Sequence, residues 1–167
     1  MKGLGICLLV VSLTVFGWVK SAALSRRVRL LQAVQTLCER MEQQLRFSPA
    51  SPSEILTRVS ADSALRSLSF LKAFAAISPE MFHTRWKREI TLFCRKNGFS
   101  EEERTLLLDF GAALGTTDLY GQQRLCAAMA ARFTQLYTAA RAEAAEKGRL
   151  YASLGGIGGA AVALILI

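Results

Sequence analysis

The sequence predicts an all-α protein: an antiparallel six-helix bundle flanked by N- and C-terminal transmembrane helices. Three observations predict it. Residues 4–19 and 150–167 carry no charge, so each end of the chain offers an apolar stretch near the length that a bilayer core requires. The residues between them are rich in Ala, Leu, Arg, Glu and Gln and poor in Pro, which favours helix. No alternating apolar run of the kind that marks a half-buried strand occurs. The 167 residues suit one body with two appendages: an anchor over 1–21, a helical bundle over 22–148 and a second membrane segment over 150–167.

The first segment is short at residues 4–19, but Gly3 and the small run Ser21-Ala22-Ala23 extend it to bilayer length. That small run also resembles a signal-peptidase site, so an exported protein with a cleaved signal peptide is the alternative. Charge favours a retained anchor. Lys20, Arg26, Arg27 and Arg29 follow the segment, whereas only Lys2 precedes it, and Lys and Arg are held on the cytoplasmic side. Lys147 and Arg149 likewise precede the last segment, and nothing charged follows them. Both flanks therefore place the N-terminus outside and the bundle in the cytoplasm, at the cell membrane. Gly155, Gly159 and Ala163 share a four-residue spacing that lets membrane helices pack closely, although glycine is also common in such helices for no further reason.

The elements follow in order. Leu24, Val28, Leu31, Val34, Cys38, Met41 and Leu45 recur at three and four, one face of a helix over 22–47 that ends at Phe47-Ser48-Pro49. Ser51-Pro52-Ser53-Glu54 is a capping box with proline at the first helical position, and Ile55, Leu56 and Val59 form the face of a short second helix. Asp62-Ser63 starts a third helix carrying Leu65, Leu68, Leu71 and Phe74. Ser78-Pro79-Glu80 starts a fourth, with Phe82, Trp86, Ile90 and Phe93, ended by Gly98. Ser100 to Glu103 is another capping box, opening a fifth helix with Leu107, Phe110 and Leu114 that stops at Gly115. Thr117-Asp118 opens the last, through Leu125, Met129, Phe133, Leu136 and Ala140 to about Lys147.

Six helices joined by short turns run antiparallel and return the chain to the end from which it left. The membrane end then collects Lys20, Arg26, Arg27, Arg95, Lys96, Lys147 and Arg149, each attractive to an anionic leaflet by about 1 kcal/mol. The distal end holds the turns at 47–51, 77–80 and 115–118.

The net charge of +8 points to anionic lipid, nucleic acid or an acidic partner. Arg85, Lys87 and Arg88 beside Trp86 could serve nucleic acid, but a solvated helix face around a buried Trp is the simpler account, and membrane tethers argue against a nucleic-acid role. The four cysteines, Cys7, Cys38, Cys94 and Cys126, show no paired spacing and read as reduced thiols. His83 has no metal-ligand partner at a trusted spacing, and Glu101-Glu102-Glu103 reads as a favourable first helical turn. Phosphate loops, nucleophile elbows and dinucleotide fingerprints are missing, so no cofactor and no enzyme activity are expected.

Phe110-Gly111-x-x-Leu114-Gly115-x-x-Asp118-x-x-x-Gln122 resembles the central motif of the stage III sporulation protein AB family. Lys147-x-x-x-Tyr151-x-x-Leu154-Gly155-x-x-Gly158-Gly159 is similar to that family's C-terminal pattern, and Ser51-Pro52-x-Glu54 fits a further segment loosely. Gln44-Leu45-Arg46-Phe47 departs from the Glu-Ile pair expected before the aromatic. The resemblance implies a fold like the cytoplasmic F domain of type II secretion systems and a part in assembling the mother cell–forespore channel of endospore formation; a generic secretion-system inner-membrane adaptor is the alternative. It implies as partners the other stage III sporulation A-operon proteins, notably a secretion-type ATPase, besides membrane lipids. Asp118 and Gln122 lie one turn apart, as a helix cap beside a surface residue or as the rim of a distal groove; the motif's place far from the membrane favours a partner-binding groove of Phe110, Gly111, Leu114, Gly115, Asp118 and Gln122.

Overall fold

The computed structural model describes residues 2–74 and 81–165, with side chains at 12, 15–74, 81–148 and 150. Five α-helices are present among them: α1 (Lys2–Phe47), α2 (Pro52–Val59), α3 (Phe82–Asn97), α4 (Glu101–Ala113) and α5 (Leu119–Ile165). Two 3-10 helices, Ser63–Leu65 and Ser69–Phe74, lie between α2 and α3, and the described residues contain no strand. The chain divides into two compact units, one of Met1–Val28 with Thr138–Ile167 and one of Arg29–Tyr137.

The Arg29–Tyr137 unit is the helical body. Its part of α1 buries Leu31, Val34, Cys38, Met41 and Leu45, the stripe that the three-and-four spacing marks, and Leu37 beside them. α2 and α4 begin where their capping boxes lie. Ser51 and Ser100 accept from the amides of Glu54 and Glu103 at 3.4 and 3.2 Å, and those carboxylates accept back from the serine amides at 3.1 and 2.7 Å. Gly98 ends α3 in the left-handed conformation, φ 69°.

The centre is aromatic. Trp86 is 1 % exposed, with the rings of Phe70, Phe74, Phe82 and Phe110 at centroid distances of 5.6–6.0 Å. Phe93 extends the cluster to Phe70 at 5.0 Å and to Phe99 at 5.5 Å. The indole Nε1 donates to the carbonyl of Leu107 at 2.8 Å, which satisfies its one polar group in a dry place.

One element of the helical body departs from the sequence reading. The third predicted helix is two 3-10 helices. Leu65, Leu68, Leu71 and Phe74, all buried, recur every three residues, the period of a 3-10 helix rather than the 3.6 of an α-helix. The backbone bonds agree, running from Leu68 N to Leu65 O at 2.9 Å and from Leu71 N to Leu68 O at 3.1 Å. Asp62 caps the first of them by accepting from Ala64 N at 2.9 Å. The start signal Ser78-Pro79-Glu80 lies outside the described residues.

In the other unit α1 and α5 run side by side. Arg27 Nη1 stands 3.2 Å from Glu143 Oε2, and a Cβ on Gly148 would lie 3.5 Å from Ser21 Oγ. Neither helix breaks where a bundle boundary was expected, at 21–22 or at 148–150. Among the described residues no helix is long and apolar enough to cross a membrane. Most side chains of both expected anchors, and that of Arg149, lie outside the described residues; Gly155 and Gly159 fall within α5.

Candidate partner-docking site

The loop between α1 and α2 meets the turn between α4 and α5 around a cavity of about 400 Å³. Met41, Leu45, Ile55, Leu114 and Leu119 supply apolar walls, and Pro49 and Pro52 add the rigid rings of the α1–α2 loop. Ser51, Thr117 and Gln122 are the polar points of the lining, which contains no ionisable side chain. Phe47 lies between the lining residues Leu45 and Pro49, and Tyr120 follows the lining residue Leu119. These two aromatics are 87 % and 73 % exposed.

The corner is held by specific backbone requirements. Gly115 has φ 80°, a conformation that a β-carbon disfavours, and a Cβ there would stand 3.2 Å from Pro52 Cγ. The capping segment of α2 thus packs on the turn that ends α4, although more than sixty residues separate them. Gln122, only 7 % exposed, donates from Nε2 to Thr117 Oγ1 at 3.0 Å and more weakly to Ala113 O at 3.4 Å, tying the start of α5 to the end of α4. Gln123 Nε2 donates to Leu45 O at 3.2 Å, which satisfies a carbonyl in the last turn of α1.

Of the six groove residues read from the sequence, Leu114, Gly115 and Gln122 line the cavity. Phe110 and Gly111 do not. They form the floor under Trp86: the Phe110 ring is 6.0 Å from the indole, and a Cβ on Gly111 would fall 2.1 Å from Trp86 Cδ1 and Nε1. Asp118 is exposed and caps α5, its Oδ1 accepting from Gly121 N at 2.8 Å. Met41, Leu45 and Ile55 were legible only as generic core residues and Leu119 was not singled out, since their convergence depends on the tertiary corner.

The basic residues fall into two sets. Arg27 and Lys147 both reach Glu143, at 3.2 and 2.6 Å. The hydrogen bond from Lys147, aided by the nearby Arg27, holds the Glu143 carboxyl below the usual carboxylate range. Lys20 Nζ lies 5.5 Å from the centroid of the Phe16 ring, and Arg26 is exposed. Arg95 and Lys96 belong to the helical body, exposed in the last turn of α3.

Other reactive groups are placed inertly. Cys38, Cys94 and Cys126 are buried; burial pushes the thiols of Cys94 and Cys126 up to about 12, and that of Cys38 well above its ordinary value. His83 Nδ1 lies 3.0 Å from the carbonyl of Gly111, so that nitrogen carries the proton and donates. Among the described residues no three His, Cys, Asp or Glu side chains are placed to hold a metal ion.

The family model for stage III sporulation protein AB matches residues 2–167, so the chain belongs to that family. No curated protein and no solved structure matches the chain.

Proposed function

We propose that this member of the stage III sporulation protein AB family is a non-enzymatic assembly component, held at the mother-cell membrane that faces the forespore, whose cytoplasmic helical body docks a partner. The docking site is the α1–α2/α4–α5 corner. One observation carries this reading: the corner combines an apolar cavity without ionisable groups with two aromatic side chains left in solvent. Such a lining can receive apolar side chains but offers no acid, base or charged nucleophile for chemistry. Exposed aromatics beside a pocket are the usual anchors of protein association.

Membrane attachment is supported by the charge-free ends and by the outward faces of the helices that lead into them. Val15, Phe16, Trp18 and Val19 on α1 and Leu150 on α5 are each more than half exposed, and Lys20 follows at once. An exposed apolar band closed by an aromatic and a cation is the arrangement found where a helix leaves lipid for water. The antiparallel bundle between two transmembrane helices, the likeness to the type II secretion F domain and a part in building the channel belong to the same proposal. So do the partners, the other stage III sporulation A-operon proteins and notably a secretion-type ATPase.

The test uses Phe47→Ser with Tyr120→Ser in the full chain. Both side chains are largely solvated, so melting should shift by only about 0.5 kcal/mol or less. Retention of the ATPase of the operon should fall at least tenfold in a pull-down from reconstituted membranes. Unchanged retention with an intact melt would remove the corner from the docking role.

A further inference from the structure

The outer face of α3 has no part in the corner. Met81, the N-cap residue, is followed by Arg88, Leu92 and Arg95 at seven, eleven and fourteen residues, which sets them in one line along the helix. Met81 and Leu92 are 57 % and 49 % exposed, two of the few large apolar side chains that the helical body leaves in solvent. Lys96 flanks the line, whereas Lys87 lies about 110° around the helix from it, toward the buried face. Arg88, Arg95 and Lys96 are all exposed. The single acid of the helix, Glu89, is occupied by Arg88 at 2.9 Å and Arg85 at 3.9 Å.

A solvated charged face would account for the cations, and the helix dipole for Arg95 and Lys96 in the last turn. Neither accounts for two apolar side chains standing among them. We propose that this face rests on an anionic lipid surface, with Arg88, Arg95 and Lys96 on headgroup phosphates and Met81 and Leu92 entering the acyl boundary. That combination is the one an interfacial helix presents to lipid. Nucleic acid would share the phosphates, but Phe82, Trp86 and Phe93 of α3 are buried and the His83 ring is tied to the Gly111 carbonyl, off the line of the cations, so the face offers no free ring to stack on bases. The inference rests on the proposed membrane attachment but lays α3 along the bilayer, in place of the end-on orientation that the antiparallel sequence reading expects, and the experiment separates attachment from the α3 face.

The full chain, with Cys7→Ser and a nitroxide placed by Leu92→Cys, is reconstituted into vesicles of phosphatidylcholine alone or with phosphatidylglycerol. Cys38, Cys94 and Cys126 are buried and stay unlabelled. Flotation with the neutral vesicles reads the terminal anchors. Label depth, from oxygen against nickel-chelate accessibility, reads the α3 face. The expected result is a severalfold rise in relative oxygen accessibility in the anionic vesicles only. It should be lost in R88E/R95E/K96E and kept in R88K/R95K, each removed cation weakening contact about fivefold. A label equally exposed to water in both lipids overturns the proposal. So does a label in neutral vesicles that added RNA shields, which would assign the face to nucleic acid. A chain that floats only with anionic vesicles, with its label buried, overturns the anchors and leaves the α3 face standing.

Discussion

Gly111→Ala tests the packing logic because its sign, and not only its size, is informative. Within a helix, replacing Gly by Ala ordinarily stabilises by about 1 kcal/mol. At Gly111 the new carbon would lie 2.1 Å from Trp86 Cδ1 and Nε1 and 2.5 Å from Cε2, against ordinary carbon contacts of about 3.5–4.0 Å. The indole has no free direction in which to yield. Four rings surround it at 5.6–6.0 Å, and its Nε1 is fixed to Leu107 O at 2.8 Å. Overpacking costs about 1–3 kcal/mol, and a buried donor torn from its acceptor about 1–3 more. The net expectation is a loss of about 1–5 kcal/mol, or roughly 2–20 °C in melting temperature for a chain of this size. Thermal unfolding followed by near-ultraviolet circular dichroism in lipid nanodiscs reads it. Trp86→Val removes Cδ1, Nε1 and Cε2, the atoms in conflict, so in that background Gly111→Ala should be neutral or stabilising, a reversal that a double-mutant cycle reports as coupling. A stabilising Gly111→Ala in the wild-type background, or no coupling, would refute the reasoning.

Three further outcomes are expected. Gly115→Ala should cost about 1–2 kcal/mol from its left-handed backbone, a loss that Pro52→Ala does not restore; a melt within experimental error of wild type would contradict it. Asp118→Asn keeps an acceptor for Gly121 N and should melt like the wild type, whereas Asp118→Lys loses the cap and about 1 kcal/mol; equal melts for the two variants would show that the cap carries no weight. The buried thiols predict an alkaline loss of stability. An ordinary thiol ionises near pH 8.5 in the unfolded chain, whereas Cys94 and Cys126 are held up to about 12. Ionisation therefore favours the unfolded state above about pH 8.5, and the denaturation midpoint should fall as pH climbs from there toward 12. A Cys94→Ala/Cys126→Ala chain should show a shallower fall, and an unchanged slope would sink the assignment.

Much of the helical layout was legible because local chemistry sets it. The boxes at Ser51 and Ser100 and the stop at Gly98 act through neighbouring backbone groups, and each element begins or ends where those residues stand. The 3-10 segment was misread because apolar residues at 65, 68, 71 and 74 satisfy a loose helical pattern, while their strict period of three belongs to the tighter helix. The groove was half legible. Leu114, Gly115 and Gln122 came from one contiguous motif, but Met41 and Ile55 reach the same cavity only through the packing of Pro52 on Gly115, which no local pattern announces. Gly111 read as part of the groove; that its neighbour is an indole twenty-five residues earlier is a tertiary fact.

The placement of the family-like motif separates building from binding. Phe110 and Gly111 seat Trp86, Gly115 turns the chain, Asp118 caps α5, and Gln122 ties the two helix ends together. Each of these tasks would be needed whatever the partner. Under the docking proposal the surface that a partner meets would come mainly from residues outside the motif: Ile55 and Leu119 in the cavity lining, and the exposed Phe47 and Tyr120, which neighbour lining residues in sequence. Under the docking proposal, exchange of these four residues should therefore alter which partner is held while leaving the melt nearly unchanged at the two exposed positions. Exchange of Gly111 or Gly115 should reduce folding and partner binding together. Loss of binding at Gly111→Ala with an unchanged melt would contradict that division and would return the motif itself to the interface.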